Sequence, residues 1–301
     1  MPKLAKLSVI SAESGELAKP VSAMMSKVST VVGAVQFPGP VKREPAPPID
    51  NTLNAEMGKN QANDLQRRAW ARFIQEQTIQ QVNMEAIVAR SVPLVTESAD
   101  PEAVDEDWIA LLFAKCRTVS NEAMRDLWAK VLAGEVNQPG TFSKRMLNLL
   151  GELDRRDIET FTTLCSFSIY SLASPVILYK NSQVGVSYNP GLYLKHGLDL
   201  GTLQDLAALG LIEFDLKAEY TKPPGPIRYF GHTVTINPQA QLKVGNASFT
   251  KAGWELARLM TPREIPEFFD YVKRMWKGVI VDEAAAAAST VAAAGPAPRL
   301  K

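Results

Sequence analysis

Apolar positions along this chain change period from one stretch to the next. Between Leu17 and Val35 they fall at Leu17, Val21, Met24, Val28, Val31, Val32 and Val35, the spacing of a helix with one apolar stripe. Lys19, Ser22, Ser26, Lys27 and Ser29 oppose that stripe, so the polar face is nearly uncharged. Gly33 is read inside this helix near its end, at a cost of about 1 kcal/mol relative to Ala. Residues 37–48 (FPGPVKREPAPP) hold five prolines, which end the helix and predict an extended linker over 37–53. From Asn54 to Leu94 a long polar helix is predicted, with Leu65, Trp70, Phe73, Ile74, Ile79, Val82, Ile87 and Val88 set among Gln75, Gln77, Gln80, Gln81 and Asn83. A helix this polar packs along a narrow seam, which makes a second copy a candidate partner.

The clearest helical grammar lies between Asp105 and Cys165. Met124, Leu127, Trp128, Val131 and Leu132 draw one stripe, and with Trp108 they are the predicted core. Ser120 is read as the N-cap, Val119 and Met124 as a hydrophobic staple, and Gly134 as the end of the helix. Phe142, Met146, Leu149 and Leu150 predict a second helix that stops at Gly151. Asp154 caps a third, carrying Ile158, Phe161, Leu164 and Cys165.

After Cys165 the period shortens. Pro175 to Tyr179 and Val184 to Tyr188 are short apolar or alternating runs, read as strands or irregular structure. A helix over Leu198 to Gly210 precedes the strand LIEFDL, a loop at Lys222 to Pro226, and strands over Arg228 to Ile236 and Ala240 to Phe249. Thr250 then opens a helix to Met260, and a last helix covers Pro262 to Val281. Helix, Gly, strand, hairpin and a T-x-x-G helix start follow the order of winged-helix modules, which this segment resembles. The predicted fold is mainly α with a C-terminal α+β, winged-helix-like module. The predicted organisation is a disordered lead (1–16), an amphipathic helix (17–36), the linker (37–53), a helical core (54–170), the winged-helix-like module (171–281) and a disordered tail (282–301).

Charge changes this picture little. Thirty-three basic and 32 acidic residues give a net charge of +1, so no global field draws the chain to nucleic acid or anionic lipid. The two cysteines, Cys116 and Cys165, sit on apolar helix faces and read as buried reduced thiols. His196 and His232 have no nearby Cys at ligand spacing. Phosphate-loop, zinc-protease and nucleophile-elbow motifs are absent. Glu135, Glu152, Asp154 and Asp157 cluster around helix ends, where capping explains them. No catalytic, cofactor or metal-binding residues are therefore expected, and the chain is read as non-enzymatic. From His196 through Leu216 there is no Lys or Arg, while Asp199, Asp205, Glu213 and Asp215 are acidic. Such a segment repels phosphate, although Lys222, Arg228, Lys243 and Lys251 lie on the wing side. The chain shows no signal peptide pattern and no run of 18 uncharged apolar residues, so neither secretion nor a membrane span is predicted.

The runs D-W-I (107–109), L-W-A-K-V-L-A-G-E-V-N-x-P-G-T-F-S-x-R (127–145) and L-G-E-L-D-R-R-D (150–157) resemble an uncharacterised bacterial family, domain of unknown function 2806. Lys19-Pro20 to Gly33, Phe37-Pro38 and Q-x-N-x-E-x-I from Gln81 to Ile87 are similar to it as well. More distantly, the middle block resembles alpha-type abortive-infection proteins, which implies a role in bacterial defence against phage. The family implies no activity and no catalytic residues. The expected function is thus interaction or scaffolding through the stripe Leu17, Val21, Met24, Val28, Val31, Val32 and Val35, with a protein partner or a second copy. The chain's own core and a membrane surface are the other candidates for covering that stripe. The expected location is the cytoplasm, peripheral at the inner membrane if the stripe meets lipid. Regulatory nucleic-acid binding is the alternative function.

Overall fold

The computed structural model describes residues 19–33, 35, 61–171, 176–177, 190–214, 220–222, 226–236, 242–244, 247–277 and 280–281. The chain divides into two compact units, Met1–Gly151 and Glu152–Lys301. Leu17, the Pro-rich stretch, the Val184 to Tyr188 run and the C-terminal tail lie outside the described residues.

The first unit is helical: α1 (Lys19–Val32), α2 (Gln61–Ser91), α3 (Glu106–Cys116), α4 (Glu122–Asn137) and α5 (Lys144–Leu150), with 3-10 turns at Val92–Leu94 and Pro101–Ala103. Asp105 starts α3 by accepting from the Trp108 N–H at 2.7 Å, which satisfies a first-turn donor. The α4 cap is Asn121 rather than Ser120, since its Oδ1 accepts from Met124 N at 3.1 Å. That shift by one residue removes the spacing a Val119–Met124 staple needs. Nor does α4 end at Gly134. It runs to Asn137, and a Cβ on Gly134 would lie 2.7 Å from Cε2 of Phe142. This glycine is a socket for a ring rather than a stop.

All six predicted core residues, Trp108, Met124, Leu127, Trp128, Val131 and Leu132, are buried. Trp108 also donates its indole N–H to the Phe142 carbonyl at 2.7 Å. Helix α1 joins the same core. Val21, Met24 and Val28 are buried, α1 packs on α3 and the Pro101–Ala103 turn, and Lys27 Nζ donates to the Glu102 carbonyl at 2.9 Å. Gly33 lies just past the last turn with φ 91°, not inside the helix. Only a residue without Cβ takes that conformation at little cost.

The second unit begins with α6 (Arg155–Cys165), whose Asp154 and Asp157 form a reciprocal capping box. Helix α6 therefore falls on the far side of the unit boundary from α5. The unit continues with β1 (Ser168–Ser171), β2 (Val176–Ile177), α7 (Pro190–Lys195), α8 (Leu200–Ala208), β3 (Ile212–Phe214), β4 (Tyr220–Lys222), β5 (Pro226–Tyr229), β6 (His232–Ile236), β7 (Leu242–Val244), β8 (Ala247–Phe249), α9 (Lys251–Ala257), α10 (Pro266–Met275) and β9 (Ile280–Val281). Among the described residues the strands form one antiparallel sheet, in the order β3-β8-β2-β1-β5-β6-β9, and a separate β4-β7 ribbon.

Three predicted elements are divided. The strand read over Arg228 to Ile236 is instead a hairpin that turns at Phe230–Gly231, where Phe230 takes a φ of 48°. The strand read over Ala240 to Phe249 is β7 and β8 in two different sheets. The helix read over Pro262 to Val281 runs from Pro266 to Met275 and is followed by β9. Pro266 in its first turn sets that start, because proline lacks the N–H that later helical positions must donate.

Phe167, Tyr193, Tyr229 and Phe268 centre the core of this unit, with Phe167 5.0 Å from Phe268 and 4.9 Å from Tyr193. The Tyr229 hydroxyl accepts from Ile265 N at 2.8 Å and donates to the Ser166 carbonyl at 3.0 Å. Overall the described structure is mainly helical with a few short strands, and no described helix is long and apolar enough to cross a membrane.

Candidate interaction surface on the long helix

Helix α2 is built in two halves. Its C-terminal half is anchored: Ile87, Val88 and Ser91 are buried, and so is Asn83. Asn83 donates to the Arg117 carbonyl at 2.8 Å and accepts from the Arg125 guanidinium. Arg125, itself buried, reaches the Val119 carbonyl at 3.1 Å and the Glu122 carboxylate at 2.8 Å. Arg90 pairs with Glu122 and Asp126 across α4.

The N-terminal half has no such cover. At 31 residues α2 is about 46 Å long, against about 24 Å for the 16-residue α4. From Asp64 to Ile79 its side chains are exposed, apart from half-buried Ala71. Trp70 is 56% exposed, Phe73 46% and Ile74 45%, and Leu65 and Ile79 are exposed too. Trp70 and Phe73 stack on one another with centroids 5.4 Å apart. The charges here are already paired within the helix. Asp64 meets Arg67 and Arg68, and Arg72 meets Glu76. Hydrogen bonding from Arg67 holds the Asp64 carboxyl below the usual carboxylate range. The result is an aromatic strip whose charges are paired within the helix, on a helix that outruns its own core. Single exposed apolar side chains are ordinary; several contiguous ones on one helix mark a contact surface.

The apolar stripe of α1 is mostly covered within its own unit. Val21, Met24, Val28 and Val35 are buried, while Val31 and Val32 are half-buried. The seam signal on α2 was present in the sequence, but where it would be covered and where left bare depends on which helices pack beside it.

The thiols, the acidic helix-end residues and the histidines have structural surroundings. Burial pushes both thiols up, Cys165 to about 12. Glu135 accepts from the Gly140 and Phe142 N–H groups at 2.7 and 2.8 Å, and so holds the turn between α4 and α5. Asn137 fastens α4 to the segment after α2, at the Leu94 carbonyl and the Thr96 N–H. Glu152 is exposed. His232 Nε2 lies 2.9 Å from Glu264 Oε1 and its ring stacks on Phe269, whereas His196 sits edge-on to Phe167. Among the described residues no three His, Cys, Asp or Glu side chains are grouped to hold a metal ion.

Neither a curated protein nor a solved structure matches the chain. A family model described as Protein of unknown function (DUF2806) matches residues 67–273. The matched span includes Trp70, Phe73 and Ile74 and begins after α1. Within it, the run from Leu127 to Arg145 supplies the Gly134 socket, the Glu135 turn anchor and the Asn137 clip. With more than half its length inside that model, the chain belongs to the DUF2806 family.

Proposed function

We propose that this protein acts by binding another protein through the bare half of α2, and carries no reaction of its own. The observation behind this reading is the exposed aromatic strip from Trp70 to Ile74 on a helix whose C-terminal half is the part buried in the unit. Aromatic side chains are enriched at the centres of protein interfaces because they cover large areas with few rotatable bonds. Locally paired charges fit the same use, since they can stay at a wet rim when the strip is covered. The test is a photo-reactive phenylalanine analogue placed at Trp70 in the full chain and irradiated in cells. Covalent adducts to a protein, this chain or another, are the expected result. Irradiation that leaves the chain without a protein adduct overturns the reading.

A second reading rests on the second unit. The order α6, β2, α7, α8, β3, β8 and the adjacency β3-β8-β2 support a winged-helix reading of part of this unit. Thr250 opens α9 against that sheet. Its hydroxyl donates to the Gly210 carbonyl at 2.6 Å and accepts from Gly253 N at 3.0 Å. Winged-helix modules are used for nucleic acid and for protein contact. The α8 segment carries Asp199 and Asp205 and no basic residue, which supports protein contact.

A further inference from the structure

We infer that the partner of the bare half of α2 is a second copy of this chain, paired antiparallel through Gln66, Trp70, Phe73 and Gln77. The inference rests on the binding reading above and names its occupant. At 3.6 residues per turn these four side chains lie within roughly a 60° arc, so they form one seam. All four are exposed. Their spacing of four, three and four residues reads the same in both directions, and so does their chemistry: amide, aromatic, aromatic, amide. The midpoint of the seam falls between Ala71 and Arg72, inside the stretch whose side chains are exposed.

A two-fold axis at that midpoint brings Trp70 opposite Phe73 of the second copy and Gln66 opposite its Gln77. These are the alternating layers of an antiparallel coiled coil. The aromatic layers exclude water at the centre. The amide layers satisfy themselves, because each carboxamide both donates and accepts. A uniformly apolar partner would instead leave Gln66 and Gln77 facing it without hydrogen bonds. Ile74 lies at the flank beside Arg67 of the second copy, whose aliphatic stem can cover it while the guanidinium stays in water. The seam is continuous with the covered face of α2, where Ile87 and Val88 are already buried. This continuity decides the direction of pairing. In a parallel pair both copies would carry their own unit on the pairing face at the same end. In the antiparallel pair each unit lies beyond the N-terminal end of the other helix.

Two aromatic layers bury little area, at the lower limit of roughly 1,000 Å² for a specific interface. The pair is therefore a reversible dimer that dissociates on dilution.

Sedimentation of the purified full chain over a wide concentration range should show the mass doubling. Phe73→Asp should remain monomeric at every concentration with an unchanged melting midpoint, while Gln75→Asp, off the seam, should dimerise as the parent does. Spin labels give the direction. Cys116 and Cys165 are buried, so labels go to introduced thiols at Arg72→Cys or Ile79→Cys. The two positions lie at similar angles around the helix. Antiparallel pairing separates the Ile79→Cys labels along the axis by about 20 Å more than the Arg72→Cys labels, at 1.5 Å per residue. Equal separations at the two positions would overturn the antiparallel geometry. A chain that stays monomeric while Trp70 photo-crosslinks a different protein overturns the self-pairing and leaves the binding reading standing. A monomer with no adduct overturns both.

Discussion

Trp128 lies at the centre of the α4 stripe and is fully buried, as its spacing from Met124, Val131 and Leu132 implies. Trp128→Ala should lower stability by about 3–5 kcal/mol, the range for truncating a large buried aromatic. Chemical denaturation of the full chain checks this, and a midpoint equal to the parent's would contradict the core assignment. Gly253 carries a different constraint. A Cβ there would lie 1.8 Å from the Leu211 carbonyl oxygen, which is backbone and cannot swing aside. Gly253→Ala should therefore push α9 off β3 and cost at least about 1–3 kcal/mol, as overpacking does. Chymotrypsin cleavage within residues 211–257 should rise with it; a wild-type digestion pattern would show that the join is slack. Stripe spacing made Trp128 readable from sequence, because helical period alone puts it on the apolar side. The Gly134 and Gly253 sockets were not readable, since each depends on a ring or carbonyl from a different element.

Two helices show how element packing redirects a surface. The Pro-rich stretch after α1 leaves its stripe open in sequence to its own core, a second copy or lipid, and in the structure Val21, Met24 and Val28 are buried where α1 packs on α3 and the Pro101–Ala103 turn. A lone charge at such a site is severely penalised. Val28→Asp should unfold the first unit cooperatively at lower denaturant, and Thr30→Asp on the exposed side should leave it unchanged. Oligomer loss with unaltered stability in Val28→Asp would return α1 to the role of a detachable face. For α2 the sequence shows a narrow seam over its whole length, but only Gln80 onward is covered by the rest of the unit. Periodicity cannot distinguish a covered half from a bare one, because both have the same pattern. The cap at Asn121 instead of Ser120 is a smaller case: two adjacent residues could each accept the first-turn N–H, and backbone geometry chose between them.

At the scale of the whole molecule, charge and topology make different demands on function. The second unit's strand order supports a winged-helix reading, while the run from His196 through Leu216 has no cation to meet phosphate. The full chain should thus bind duplex DNA only weakly, with binding lost as salt approaches physiological strength. A gel-shift series at rising ionic strength measures this, and tight sequence-selective binding at physiological salt would make nucleic acid the partner. By itself the sequence determined most of the helical segments, though not α7, together with the six core residues around Trp128, the caps at Asp154 and Thr250, the buried thiols and the family. Each of these follows from local spacing or from residue type. Tertiary structure decided where the two units divide, that Arg228 to Ile236 folds back as a hairpin, that α1 fills a groove, and that α2 is left bare from Asp64 to Ile79. Those outcomes depend on which surfaces meet across long stretches of chain, and a periodic pattern encodes the presence of an apolar face without encoding what covers it.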